Sequence, residues 1–141
     1  MSLIYWDTML FVYWLEGHPD FADRVGQIYG AMEKRGDVLC TSALTVGELL
    51  AGAKKRQSEE LARTIHDLFD DAPVKVLPFA IGSVDRFAEV RAQYGVSAAD
   101  AIHLAAAAHA GVDLFLTNDR RLRRAIVPGI RFIAGLDTDV I

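Results

Sequence analysis

Four acidic residues stand where strand-like runs give way to helical ones. Asp7 follows Leu3-Ile4-Tyr5-Trp6, and Asp119 follows Leu114-Phe115-Leu116-Thr117-Asn118. Glu48 lies in Thr45-Val46-Gly47-Glu48-Leu49-Leu50, and Asp100 opens the alanine-rich stretch Ser97-Ala98-Ala99-Asp100-Ala101-Ile102-His103-Leu104. Each has an ordinary structural role open to it. Asp7 and Asp119 suit helix N-caps, while Glu48 with Thr45 and Asp100 with Ser97 match the spacing of a capping box. Their surroundings offer a second reading: Glu48 sits among apolar neighbours on an inward face, and an acid at the mouth of a close-packed alanine helix is costly to bury without a partner.

Taken together, the four would bring carboxylates to one edge of a sheet. Like charges about 4 Å apart repel by about 4 kcal/mol at an effective dielectric near 20, so such a group takes up protons or binds cations. Oxygen-only ligation selects Mg²⁺ or Mn²⁺; zinc would need His or Cys at suitable spacing. His18, His66, His103 and His109 form no such pattern, and His103, three residues after Asp100 on an apolar helix, reads as a core histidine with a partner role open to it. A carboxylate cage with one or two divalent ions suits phosphoryl chemistry, because the metal acidifies a water and neutralises charge on the phosphate. No Walker A loop or G-x-G-x-x-G run supports a nucleotide cofactor.

The elements that would position these acids alternate. Strand-type runs at Leu3–Trp6, Val38–Thr41, Val74–Leu77, Leu114–Thr117 and Ile130–Ile133 are separated by helical stretches at 21–34, 43–53, 59–69, 83–94 and 98–110. In the first, Val25, Ile28, Tyr29 and Met32 recur at the spacing of one buried helix face. Such alternation predicts an α/β fold: a central parallel sheet of about five strands with helices on both faces, since parallel neighbours need helix-length crossovers. Ligands of such sheets bind beyond the strands' carboxyl ends, where Asp7 and Asp119 fall.

Composition bounds the rest. With 141 residues, 52% hydrophobic and a net charge of −4, the chain reads as one domain over 1–141 with a core of its own. The single cysteine, Cys40, rules out an intrachain disulfide and suits a reducing compartment. The apolar run from Met9 to Leu15 is too short for a membrane span, and without a basic leader or cleavage site it does not read as a signal peptide.

In order and local sequence, Ile4-Tyr5-Trp6-Asp7-Thr8, Thr45-Val46-Gly47-Glu48-Leu49, Ala98-Ala99-Asp100-Ala101-Ile102-His103 and Leu116-Thr117-Asn118-Asp119 resemble the PIN-domain ribonucleases, specifically the VapC-type toxins of bacterial toxin–antitoxin pairs. The resemblance covers nearly the whole chain. It implies a cytoplasmic, Mg²⁺-dependent endoribonuclease (Mn²⁺ a possible substitute) with Asp7 and Asp100 as principal metal ligands, Glu48 completing the acidic pocket and positioning metal-bound water, and Asp119 as a fourth metal ligand. Thr8, Thr117 and Asn118 would hydrogen-bond around them. It also implies an RNA substrate, a cognate VapB-type antitoxin that blocks the acids, and a homodimer.

Between Thr117 and Arg131 five arginines face one aspartate. Solvation alone explains many such runs, but beside an acidic pocket Arg120 and Arg121 are placed to hold RNA phosphates. Lys54-Lys55-Arg56 forms a second basic run. Two rival readings stay open: a haloacid-dehalogenase-like phosphatase, which needs a second Asp where Met9 stands, and a noncatalytic interaction module that keeps the acidic pocket as a binding site.

Overall fold

A computed structural model of the chain describes residues 1–71 and 73–139. Five strands, β1 (Leu3–Trp6), β2 (Val38–Ser42), β3 (Val74–Leu77), β4 (Leu114–Leu116) and β5 (Phe132–Ala134), form one sheet in the order β3-β2-β1-β4-β5. All four pairings are parallel. Six helices connect them: α1 (Thr8–Glu16), α2 (Ala22–Arg35), α3 (Ala43–Lys55), α4 (Glu59–Asp71), α5 (Val84–Tyr94) and α6 (Ala98–Ala110).

The two-residue alternation of β1 sorts the core into layers. Ile4 and Trp6 pack with Leu10 of α1, Val25 and Ile28 of α2, Leu49 of α3 and Ile65 of α4. Tyr5, pointing the other way, packs with Val90 of α5 and Leu104 of α6. Alanines 105–108 of α6 are all buried, so its backbone lies close to the sheet. Cys40 is fully buried, and burial pushes its thiol up to about 12, so it is an inert core residue.

Two expectations are corrected here. The last strand begins at Phe132 rather than Ile130, because Val127 to Ile130 closes a turn: the Ile130 N–H donates to the Val127 carbonyl at 3.0 Å and Gly129 takes φ +100°. The helix expected after Asp119 shortens to a single 3-10 turn at Leu122–Arg124. The other strands and the five helices keep their expected places to within one or two residues at each end.

Chain order gives the sheet its switch point. From β1 the chain builds β2 and β3 on one side, then returns to place β4 and β5 on the other. Connections leaving the carboxyl ends of β1 and β4 therefore diverge and open a crevice between them.

Candidate active site

Asp7 is held at this crevice from both sides. Its N–H donates to the Leu116 carbonyl at 3.0 Å, and its Oδ2 accepts the Thr117 hydroxyl at 2.7 Å. It occupies the N-cap position of α1, yet its carboxylate makes no capping bond, so the side chain is given to the crevice. Only 8% of Asp7 is exposed. Burial pushes its carboxyl pKa up, His103 and Thr117 pull it down, and Asp100 adds a smaller push upward.

Glu48 reaches the same place from the second turn of α3. Its Oε1 accepts the Thr8 hydroxyl at 2.7 Å and lies 3.1 Å from His103 Nε2. The His103 hydrogen bond is the largest influence holding this carboxyl below its ordinary pKa. The capping-box alternative with Thr45 is not formed: α3 starts after Ser42, and the Thr45 hydroxyl lies within hydrogen-bonding distance of Thr41 and Thr8.

Asp100 enters from the first turn of α6. Its backbone N–H caps onto Ser97 Oγ at 3.1 Å, but its carboxylate has no hydrogen-bond partner among the described residues. Asp119 follows Thr117, whose Oγ1 accepts the Asp119 N–H at 3.0 Å. The Asp119 carboxylate accepts the Arg121 N–H at 2.9 Å and its guanidinium at 3.0 Å, and Arg121 holds its pKa below the ordinary range. Here the capping role and the place at the crevice coexist.

All four acids line one cleft of about 410 Å³, with Thr8, Asn118 and Tyr13 among its walls. Thr117 lies buried beneath, and the Asn118 amide donates to the Tyr13 hydroxyl at 3.0 Å. Arg120 and Arg121 do not line the cleft: both are exposed, and Arg121 turns back onto Asp119. Nor do the acids form a closed cage. Among the described residues no group of three or more His, Cys, Asp or Glu side chains stands close enough to hold a metal ion. Instead Asp7 is held by Thr117, Glu48 by Thr8 and His103, and Asp119 by Arg121.

His103 is the residue whose place is not evident from sequence. It is buried, as a core histidine should be, yet its ring forms the cleft floor and faces Glu48, Thr8 and Asp7. Its spacing of three from Asp100, which sets both on one side of α6, was the available signal.

Comparison with known proteins places the arrangement in context. The PIN domain family matches residues 4–127. No curated protein matches the chain. Among solved structures, VapBC2 from Rickettsia felis, bound to a DNA fragment from its promoter, is similar with a TM-score of 0.76 at 17% identity, over 94% of this chain and 98% of that one. A toxin–antitoxin complex from Klebsiella pneumoniae gives 0.66 at 22%, over 90% and 94%. The Mycobacterium tuberculosis toxin VapC20, which cleaves the sarcin–ricin loop, gives 0.66 at 16%, over 79% and 86%. At these identities the shared property is the fold.

Proposed function

The chain belongs to the PIN-domain family, and from that premise we propose that it is a divalent-metal-dependent endoribonuclease, the VapC-type toxin of a toxin–antitoxin pair, with residues 1–141 forming one PIN domain. The observation that carries this reading is the convergence of Asp7, Glu48, Asp100 and Asp119, from four separate segments, on one cleft at the carboxyl edge of the sheet.

The donor set fits Mg²⁺ or Mn²⁺: every candidate ligand is a carboxylate oxygen, Asp100 has no competing partner, and Asp7 is a buried acid that gains from a neighbouring positive charge. As the side chains stand they are too far apart to share an ion, so Asp7, Asp100 and Glu48 would have to draw together to hold it, with Asp119 at the periphery. When bound, the ion supplies an acidified water and neutralises charge developing on the phosphodiester.

The remaining work belongs to the protein. Thr117 orients Asp7 by donating to Oδ2, leaving Oδ1 for the cleft. Glu48 takes both its hydrogen bonds on Oε1, so Oε2 is free to accept a proton from the attacking water. No serine or cysteine nucleophile is required. Arg120 and Arg121, outside the cleft but beside Asp119, supply positive potential for RNA phosphates that the acids would otherwise repel.

A VapB-type antitoxin is the partner this reading implies. An apolar crevice of about 80 Å³ lined by Val12, Leu15, Leu49 and Ile65 meets the cleft at Glu48, so one apolar side chain of a partner seated there would stand beside the acids. The resemblance to VapC-type toxins also leads us to propose a homodimer and a cytoplasmic location. Among the described residues no helix is long and apolar enough to cross a membrane.

Cleavage of total cellular RNA by purified, antitoxin-free protein tests the assignment. Discrete fragments should appear with Mg²⁺ and vanish with EDTA. In Asp100→Asn the rate should fall by on the order of 10³-fold, the loss of several kcal/mol of charge stabilisation. A wild-type protein that cuts no RNA under these conditions would return the site to a noncatalytic binding role.

A further inference from the structure

The floor of the cleft holds a group that the proposed chemistry does not use. His103 Nε2 lies 3.1 Å from Glu48 Oε1, 3.2 Å from Thr8 Oγ1 and 3.9 Å from Asp7 Oδ1. On the other side of the ring, Nδ1 lies 2.6 Å from the Tyr5 hydroxyl oxygen. The pair is shielded, with His103 2% exposed and Tyr5 fully buried.

Counting protons assigns the tautomer. Glu48 Oε1 is a carboxylate oxygen and can only accept. Thr8 has one hydroxyl proton, and at 2.7 Å it goes to Glu48. Its oxygen can therefore only accept from His103. A lone pair on Nε2 would face nothing but acceptors, so Nε2 carries the hydrogen. In the neutral ring Nδ1 is then the acceptor and the Tyr5 hydroxyl the donor. Burial pushes the Tyr5 pKa upward, which keeps the phenol protonated for this role.

Tyr5 is itself rigidly placed. Its ring stacks on Phe115 with centroids 4.8 Å apart and planes within 6°. A strand residue on one side of the cleft thus sets the orientation of an imidazole on α6, which in turn reaches a carboxylate on α3. We propose that Tyr5 and His103 form a positioning pair, in which the phenol anchors the imidazole by donating to Nδ1 and the Nε2–H holds the Glu48 carboxylate beside Asp7.

The consequence rests on the ribonuclease reading: a Glu48 held in one orientation is preorganised for cation and water, and one released from His103 is not. Losses should therefore fall on cation affinity and kcat, with KM for RNA little changed.

Three variants and three readouts test the pair. Long-range ¹H–¹⁵N spectra of the labelled imidazole, recorded in EDTA, should show Nε2–H in the wild type with the Nδ1 resonance displaced by its hydrogen bond; Tyr5→Phe should keep Nε2–H, which faces Glu48 and Thr8, but lose that displacement. Calorimetric Mn²⁺ affinity and kcat should each fall by roughly 10-fold to 100-fold in Tyr5→Phe and in His103→Leu. His103→Gln should recover much of both, because an amide N–H can still donate to Glu48. Tyr5→Phe removes one oxygen and keeps the ring stack, so it guards against misfolding of the histidine variants.

An Nδ1–H tautomer in the wild type would overturn the proposal, as would a folded Tyr5→Phe with wild-type Mn²⁺ affinity and kcat. A wild-type protein that neither binds Mn²⁺ nor cuts RNA, yet shows Nε2–H with a Tyr5-dependent hydrogen bond at Nδ1, would defeat the nuclease reading while supporting the pair.

Discussion

The Thr117 hydroxyl donates to Asp7 Oδ2 at 2.7 Å while its oxygen accepts the Asp119 N–H at 3.0 Å, so one buried side chain ties together two acids 112 positions apart in the chain. Thr117→Val keeps the shape and removes both bonds. The Asp119 N–H then loses its acceptor and Asp7 loses a donor that lowers its pKa, so we expect a stability loss of about 1–3 kcal/mol in urea unfolding. Thr117→Ser should restore most of it. Equal unfolding midpoints for the valine and serine variants would show that the hydroxyl does not bridge the acids in solution.

Asp7 carries a stability consequence of opposite sign. Its folded pKa lies above the ordinary carboxylate value, chiefly through burial. Below the ordinary value both states are protonated and the shift has no effect. As pH rises through the raised folded value, the folded state must ionise a buried acid, and stability falls relative to that acid limit. Asp7→Asn, measured in EDTA, should therefore raise Tm at pH 7 while abolishing RNA cleavage, with roughly 2–4 °C expected for each kcal/mol relieved. The gain should shrink as the pH is lowered toward the ordinary carboxylate range. A variant no more stable than wild type at pH 7 would mean that Asp7 is better solvated than its burial indicates.

That four acids meet was legible in the sequence because each is tied to an element boundary, and boundaries after β-type runs fall at one edge of a parallel sheet. Asp7 and Asp119 needed only strand ends; Glu48 needed the second turn of α3 and Asp100 the first turn of α6. The role of His103 was not legible in the same way. A buried histidine on an alanine-rich helix looks the same whether or not it meets a carboxylate, and its partner Tyr5 lies 98 positions away. The arginines show a different limit. Charge placed them beside the site, but the orientation of an exposed side chain depends on local pairing, and Arg121 turns to Asp119.

The displaced start of β5 yields a test of the turn that causes it. At Gly129 the backbone has φ +100°, and an added Cβ would stand 2.5 Å from the Ala108 carbonyl oxygen at the end of α6. Gly129→Ala should cost about 2 kcal/mol, since both the backbone conformation and the space oppose it. Gly26→Ala serves as the control: within α2, with nothing near the added methyl, it should stabilise by about 0.5–1 kcal/mol. If the two alanine variants shifted the urea midpoint alike, the tight turn at Gly129 would be wrong.

Arg120 and Arg121 are neighbours with different expected consequences. If each meets an RNA phosphate, Arg120→Ala and Arg121→Ala should both weaken binding and make the dependence of log K on log salt shallower by roughly 0.7 per lost contact. Arg121 has a second role, because it is the principal influence holding the Asp119 pKa down. Without it, Asp119 takes up a proton at higher pH and loses its charge earlier on acidification. If Asp119 contributes its charge to the cation site, the acid limb of the cleavage profile therefore moves to higher pH in Arg121→Ala and stays in place in Arg120→Ala. Parallel salt slopes with coincident acid limbs would keep both arginines as phosphate contacts and remove Asp119 from the cation site, leaving it as the cap of the turn that follows.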